Sequence, residues 1–171
     1  KEGPEEIPAE SAYTFTYSNA QFFILDVMNN REVQGDWLEK ELAKSTAQWK
    51  VAVFHFPPFA GRRSYAQIEE LWNSLFDQHG VDLVLTGHVH TYMRTPPMRG
   101  GEIAKEGERG TVYITSVSIP SRPARAEKPD YIESWVGGGQ IVGVVDIDGP
   151  KLRFRATTTG GEVKDEFTLE K

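Results

Sequence analysis

Three of the four histidines in the chain directly follow short apolar segments that have the composition of buried β-strands. His55 comes after residues 51–54, and His88 and His90 lie in a Gly-His-Val-His motif after residues 81–85. Neutral imidazole is the commonest protein ligand for zinc and related ions, and the glycine before His88 lets the backbone approach closely. These residue types and their spacing predict a metal site with the three histidines as ligands.

The metal site requires the two histidine segments to meet in space. The order strand, helix, strand, helix, strand over residues 21–85 is most economically closed by right-handed crossovers between parallel strands. Parallel neighbours end at the same carboxyl edge of the sheet, which is where open α/β sheets bind ligands. His79 is different, because it lies in the last turn of the second helix, where an imidazolium stabilises the helix dipole. It is therefore interpreted as structural.

Short sequence motifs predict where the individual helices and strands begin and end. Asp36 and Glu39 have the spacing of a capping box and predict a helix over residues 36–45, and Ser64 predicts the start of a second helix that Gly80 ends. Residues 119–139 are rich in Pro, Arg and Gly and predict an exposed flap. Residues 1–10 predict an extended lead-in, and residues 11–171 a single domain. Alternating or apolar runs predict strands at residues 13–17, 21–27, 51–54, 81–85, 111–116, 140–147, 151–157 and 163–169.

Bulk composition excludes several classes of protein. The formal net charge of −6 argues against nucleic-acid binding through a basic surface, because that partner rewards clustered Lys and Arg. The absence of cysteine excludes disulfides, thiolate metal ligands and cysteine nucleophiles. No segment approaches the ~18 apolar residues that predict a membrane-spanning helix.

Four segments in a fixed order resemble a known family: YSNAQFFILD (17–26), WLEKEL (37–42), VFHFPPF (53–59) and VDLVLTGHVHTY (81–92). They resemble the C-terminal half of the calcineurin-like metallophosphoesterases, most of all the purple-acid-phosphatase-like branch. The resemblance is strong over residues 11–95 and looser over the closing strands. It implies an α/β fold, namely the C-terminal half of a four-layer αββα sandwich, with a parallel βαβαβ unit followed by mostly antiparallel strands.

The resemblance also implies a function. The chain would be part of a metal-dependent phosphoric ester hydrolase, with two divalent or trivalent ions (Fe, Mn or Zn) and a metal-bound hydroxide as nucleophile. His55 and His88 would bind one ion and His90 the other, which makes all three catalytic residues. Phosphate-ester substrate would be contacted by Arg62 and Arg63, in the loop of residues 57–65, and by Tyr92. The purple-acid-phosphatase-like branch further implies a secreted or periplasmic protein.

The aspartate and Gly-Asn-His motifs of the family's first half do not occur in this sequence. Three neutral imidazoles leave the charge of two metal ions unneutralised, so we expect partial or no metal occupancy and no activity in the chain alone. We expect the missing N-terminal half, or self-association, to complete the site. Gly35-Asp36 has the form of a family motif, but its capping-box context predicts that Asp36 is a helix cap.

Two alternatives remain open at this stage. One is a non-catalytic phosphoesterase-like module that binds metal or a partner, which fits the absent first-half ligands. The other is a mononuclear zinc enzyme with three histidine ligands, which a charge-neutral ligand set permits.

Overall fold

A seven-stranded mixed sheet forms the centre of the molecule, with helices on one face and a three-stranded sheet on the other. The computed structural model describes residues 3–60, 63–64, 69–116 and 128–171. In chain order the strands are Tyr13–Tyr17 (β1), Ala20–Ile24 (β2), Trp49–Val53 (β3), Phe59–Ala60 (β4), Arg63–Ser64 (β5), Leu83–Thr86 (β6), Tyr92–Arg94 (β7), Met98–Arg99 (β8), Glu102–Ile103 (β9), Val112–Thr115 (β10), Ser134–Val136 (β11), Ile141–Asp148 (β12), Lys151–Thr158 (β13) and Val163–Glu170 (β14). The helices are Arg31–Lys44 (α1) and Ser74–His79 (α2), the latter preceded by a π-helix at Glu69–Asn73.

The large sheet has the strand order β1-β2-β3-β6-β10-β7-β11. Strands β2, β3, β6 and β10 are parallel to one another, whereas β1, β7 and β11 pair antiparallel. Strands β12, β13 and β14 form the separate antiparallel sheet. The predicted α/β class, with a parallel unit followed by mostly antiparallel strands, is confirmed.

Two apolar clusters form the core, because alternate residues of each strand point to opposite faces of the sheet. On the helix side, Phe23 and Phe54 pack with Trp72 and Phe76. On the other side, residues of β3, β6 and β10 pack against β13, where Phe154 is 2% exposed. Both faces of the parallel strands are therefore covered, which explains their nearly continuous apolar sequences.

The first helix begins five residues earlier than predicted. Asn30 is its N-cap, and the Asn30 side chain accepts hydrogen bonds from the backbone of Glu32 and Val33. Asp36 is an exposed residue inside the helix and caps nothing, so the capping-box prediction is wrong. The cap at Asn30 wins because its amide oxygen satisfies two backbone N–H groups that the helix itself leaves unpaired.

The second helix ends where predicted, at Gly80, whose φ of 63° lies in the left-handed region that glycine adopts without strain. Its predicted start at Ser64 is wrong, because Ser64 belongs to β5, and residues 65–68 lie outside the described residues. Residues 3–10 form turns rather than an extended segment, with Ile7 buried. Of the predicted flap, residues 134–136 form the edge strand β11, while residues 119–127 lie outside the described residues.

Candidate metal centre

The parallel ladder between β3 and β6 continues beyond both strands and brings the two histidine segments together. The backbone N–H of Phe54 donates to Leu85 O at 3.1 Å, and that of Gly87 donates to His55 O at 3.0 Å. His55 is therefore a direct neighbour of the residue that precedes His88. The strand order thus places both segments at the carboxyl edge of the sheet, as the sequence predicts.

The His55 and His88 rings face each other at this edge. His55 Nε2 lies 3.2 Å from His88 Nδ1, and the rings are nearly perpendicular, with an interplanar angle of 78°. Two nitrogens that each bind one ion at ~2.1 Å lie about 3.0–3.4 Å apart when the ligand angle is roughly 90–110°. The pair therefore has the spacing of two ligands of a single metal ion, and both side chains belong to exposed residues that an ion can reach.

The ring positions are set by close packing. Phe56 lies edge-on to His88, with ring centroids 4.6 Å apart. On the other side, a Cβ atom at Gly87 would lie 3.4 Å from His55 Nδ1, which is tighter than most contacts of that kind. Glycine at position 87 therefore leaves room for the imidazole. Phe56 is a contributor that sequence reasoning did not single out, although its place beside His55 was visible.

His88 has a φ of 65°, which non-glycine residues rarely adopt. Two tight turns surround it, in which Val89 N donates to Gly87 O at 2.7 Å and Thr91 N donates to Val89 O at 2.8 Å. Such a conformation persists only where the surrounding structure determines it. The residue with this backbone conformation is thus the one whose ring contacts His55.

His90 is exposed and does not join the other two histidines in a common group. Over residues 3–60, 63–64, 69–116 and 128–171, no three side chains of His, Asp or Glu are arranged to hold one ion. Asp26, two residues after β2, accepts hydrogen bonds from Met28 N and Asn29 Nδ2 within its own loop. The described residues thus provide one pair of facing imidazoles and a separate histidine.

The predicted substrate residues are placed unequally. Arg62 lies outside the described residues, and the backbone of Arg63 pairs with Ala60 in the β4–β5 hairpin. Tyr92 differs from the expectation, because its side chain is completely buried and its hydroxyl donates to Asp165 Oδ2 at 2.6 Å. Tyr92 is therefore an interior residue of this structure, and its contact with a substrate stays a prediction.

Asp165 is the centre of a buried polar network that sequence reasoning missed. Besides Tyr92, Arg94 donates to both of its oxygens, from Nε at 2.6 Å and from Nη2 at 3.1 Å. Burial alone would raise the pKa of Asp165, but the hydrogen bonds from Arg94 and Tyr92 hold that pKa below its ordinary value. Burial and the adjacent carboxylate raise the pKa of Tyr92, which keeps its hydroxyl protonated as a donor.

Comparison with known proteins identifies the family to which these segments belong. The profile of the calcineurin-like phosphoesterase family matches residues 7–92, just over half of the chain. A probable purple acid phosphatase 20 of Arabidopsis thaliana is 37% identical over 126 residues, which are 64% of this chain and 29% of that protein. No helix within the described residues is long and apolar enough to cross a membrane.

Solved structures share the fold. Purple acid phosphatase PPD1 from yellow lupin seeds has a TM-score of 0.78 at 20% identity, over 96% of this chain and 34% of the lupin chain. GAP50, the anchor in the inner membrane complex of Plasmodium, has a TM-score of 0.70 at 17% identity, over 93% of this chain and 53% of that one.

The chain spans about a fifth to a third of the length of the curated relatives that it matches. The match nevertheless contains His55, His88 and His90 in their ordered segments. The chain belongs to the calcineurin-like phosphoesterase family, and its fold is that of the purple acid phosphatases.

Proposed function

We propose that this chain is part of a metal-dependent phosphoric ester hydrolase and that His55 and His88 are ligands of one of two metal ions. The observation that carries the proposal is the 3.2 Å separation of His55 Nε2 and His88 Nδ1 at the carboxyl edge of the sheet. The relatives named as purple acid phosphatases support the reaction class. When bound, two such ions (Fe, Mn or Zn) would polarise the phosphoryl group and activate a water molecule as nucleophile.

The chain's own residues divide between the two ions. His55 and His88 hold the first through facing nitrogens, and their packing with Phe56 fixes the ring orientations. His90, which stands apart from the pair, is proposed as a ligand of the second ion. A neutral pair of imidazoles leaves the charge of the ion undiminished, which favours binding of an anionic ester at this edge.

Arg62 and Arg63 are proposed to bind the phosphate group of the substrate. Their segment follows His55 directly in sequence, through the strand β4 at Phe59–Ala60. A guanidinium group donates two parallel hydrogen bonds to a phosphate and stays charged at every physiological pH.

The metal site is proposed to be completed by polypeptide outside this chain, which corresponds to the family's N-terminal half. Within the described residues no carboxylate joins the histidines. Beside the edge strand β12, a cavity of 290 Å³ opens between the two sheets, lined mainly by apolar residues such as Leu85, Ile114 and Phe154. Val142 and Val144 of β12 are also half exposed. An uncovered apolar edge of this kind is expected where further polypeptide packs.

The experiment is hydrolysis of a chromogenic phosphate monoester by the protein that contains this chain together with its N-terminal half, supplied with Fe, Mn or Zn. We expect His55→Ala and His88→Ala each to lower kcat/KM by about 100-fold or more, because each removes a direct ligand. His79→Gln is the matched control, since His79 lies in α2 and not at the carboxyl edge. Unchanged hydrolysis in both alanine variants would exclude the proposed site.

The metal content of the same preparation separates the proposed site from the mononuclear alternative. The proposal requires two equivalents per assembled protein, whereas a three-histidine zinc enzyme requires one. The structure disfavours that alternative, because all four histidines lie within the described residues and no three of them share an ion site. Self-association in place of the N-terminal half would appear as two copies of this chain in an active particle.

A non-catalytic module is the second candidate function. GAP50, described as an anchor, has the same fold as this chain, which indicates that the scaffold also serves in a structural role. This candidate predicts metal or partner binding without hydrolysis of any phosphate ester in the completed protein. Secretion or export, as in the resembling branch, remains a proposal for both candidates and is tested by locating the protein in culture medium or periplasm.

A further inference from the structure

We propose that Asp165 is a positioning residue that holds the loop carrying His88 and His90 in place through Tyr92 and Arg94. Asp165 lies on β14 in the three-stranded sheet, more than seventy residues after the loop in the sequence. The inference rests on the proposed function only for its effect on metal affinity. Its effect on the geometry of the loop stands independently of any metal.

The loop between β6 and β7 needs support from both ends. It spans residues 87–91 and contains the unfavourable backbone conformation at His88. Its first end is fixed by the hydrogen bond from Gly87 N to His55 O, next to the parallel core of the sheet. The second end enters β7, which has only three residues.

Backbone pairing holds β7 weakly. Its register with β10 includes only Met93 and Arg94, so Tyr92, the residue closest to the loop, is paired only with Val136 of the short edge strand β11. Short edge strands have little intrinsic stability. The position of Tyr92 therefore depends on its side chain.

Both inward-facing side chains of β7 converge on one carboxylate. Tyr92 Oη donates to Asp165 Oδ2 at 2.6 Å, and the guanidinium of Arg94 makes a two-point contact with the same group. Arg94 also donates to Glu133 Oε2 and lies 4.8 Å from the centre of the Phe167 ring. The side chains of Arg94 and Asp165 are each 9% exposed, so solvent does not substitute for these bonds.

The consequence for the histidines is geometric. Because Tyr92 is two residues after His90, a shift of Tyr92 is transmitted to the loop through Thr91, which is itself fully buried. The His88 ring must stay about 3.2 Å from His55 to share an ion. Groups that orient metal ligands in this indirect way typically change metal affinity by about 10- to 100-fold.

The test uses two variants of this chain, Tyr92→Phe and Asp165→Ala. Tyr92→Phe removes one hydroxyl and keeps the Arg94–Asp165 pair, so it is the variant that remains folded if Asp165→Ala does not. Long-range ¹H–¹⁵N NMR spectra of the imidazoles report the His55–His88 contact without metal, and titration with Co²⁺ reports affinity. We expect altered ring signals of His88 in both variants and a loss of Co²⁺ affinity of about tenfold in Asp165→Ala.

Leu152→Ala is the matched control. Leu152 is fully buried between the same two sheets, but it pairs with Ile147. That pair lies near the turn that contacts Trp49, at the opposite edge of the sheet. The substitution should destabilise the chain and leave the His88 signals unchanged. The proposal is overturned if Tyr92→Phe retains the ring signals of the unmodified chain, or if Leu152→Ala alters them equally. If the ring signals change but neither this chain nor the protein completed by its N-terminal half binds Co²⁺, the positioning role stands and the proposed metal site fails.

Discussion

Polar clusters at the two ends of the parallel strands differ in the kinds of partner that the described residues give them. At the amino edge, buried Asp82 accepts hydrogen bonds from Lys50 N at 2.9 Å, Arg109 Nη2 at 3.1 Å and Lys171 Nζ at 2.7 Å. At the carboxyl edge, His55 and His88 have each other and aromatic neighbours, and within the described residues no carboxylate completes the group.

The two ends therefore differ in role: the amino-edge cluster stabilises the fold, whereas the carboxyl edge presents groups that can bind an ion. A buried carboxylate with three donors has its lone pairs engaged and contributes to holding the fold together. Imidazole nitrogens at an exposed edge are atoms that a metal ion can take as ligands. Substitutions at the amino edge should therefore change stability and leave metal binding intact, and substitutions at the carboxyl edge should do the reverse.

The largest expected effect on stability is that of Asp82→Ala. It removes the acceptor of the part-buried Lys50 N–H and of two cationic side chains, and we expect a cost of about 2–3 kcal/mol in the free energy of unfolding. Urea denaturation at pH 7 measures it. Asp77→Ala is the control, because Asp77 accepts from Gly100 N at an exposed position and should cost below about 1 kcal/mol. Equal losses in the two variants would contradict a closed cluster at the amino edge.

Acid should destabilise the chain in part through Asp165, which belongs to a second closed cluster. The pKa of Asp165 lies below its ordinary value of 3.8 in the folded chain. Its contribution to stability is therefore complete above pH 3.8 and is lost as the pH falls through the lower folded pKa. The decrease in the urea midpoint from pH 7 to pH 3 should be larger for the unmodified chain than for Asp165→Asn. Parallel pH profiles would show that the carboxylate is not held by Arg94 and Tyr92.

The smallest expected effect is that of Arg109→Ala. Its side chain is 70% exposed, although it contacts the buried carboxylate of Asp82. Solvent and salt screen such a charge, so the expected cost is below about 1 kcal/mol in the same urea measurement. A loss above about 2 kcal/mol would show that the residues of the amino-edge cluster stabilise the fold as one coupled unit. The exposure of the Arg109 side chain would then not predict its contribution to stability.

Sequence alone could predict the meeting of His55 and His88, because it follows from parallel pairing. Apolar runs located β3 and β6, and the shared edge follows from any economical closure of those strands. The long antiparallel strands β12, β13 and β14 were also predictable to within one residue, because they begin or end at glycine-containing turns and alternate on the pleat.

Other features depended on information that local patterns do not contain. Asp36 and Glu39 have the spacing of a cap, yet Asn30 caps the helix, because its side-chain oxygen accepts from the backbone of Glu32 and Val33. The burial of Tyr92 depends on Asp165, which is distant in sequence and occupies a polar position of an alternating strand. Long-range pairing of this kind becomes visible only when the two sheets are packed.

The most direct test of the central claim is calorimetric titration, with Co²⁺ or Zn²⁺, of the protein that contains this chain together with its N-terminal half. Binding of two ions per assembled protein is expected, with the affinity for one of them lowered about tenfold or more in His55→Ala and in His88→Ala and unchanged in His79→Gln. The urea midpoints of both alanine variants should stay close to that of the unmodified chain, because both histidines are exposed. Equal metal affinity in all four proteins would contradict the claim that the facing pair of imidazoles binds the ion.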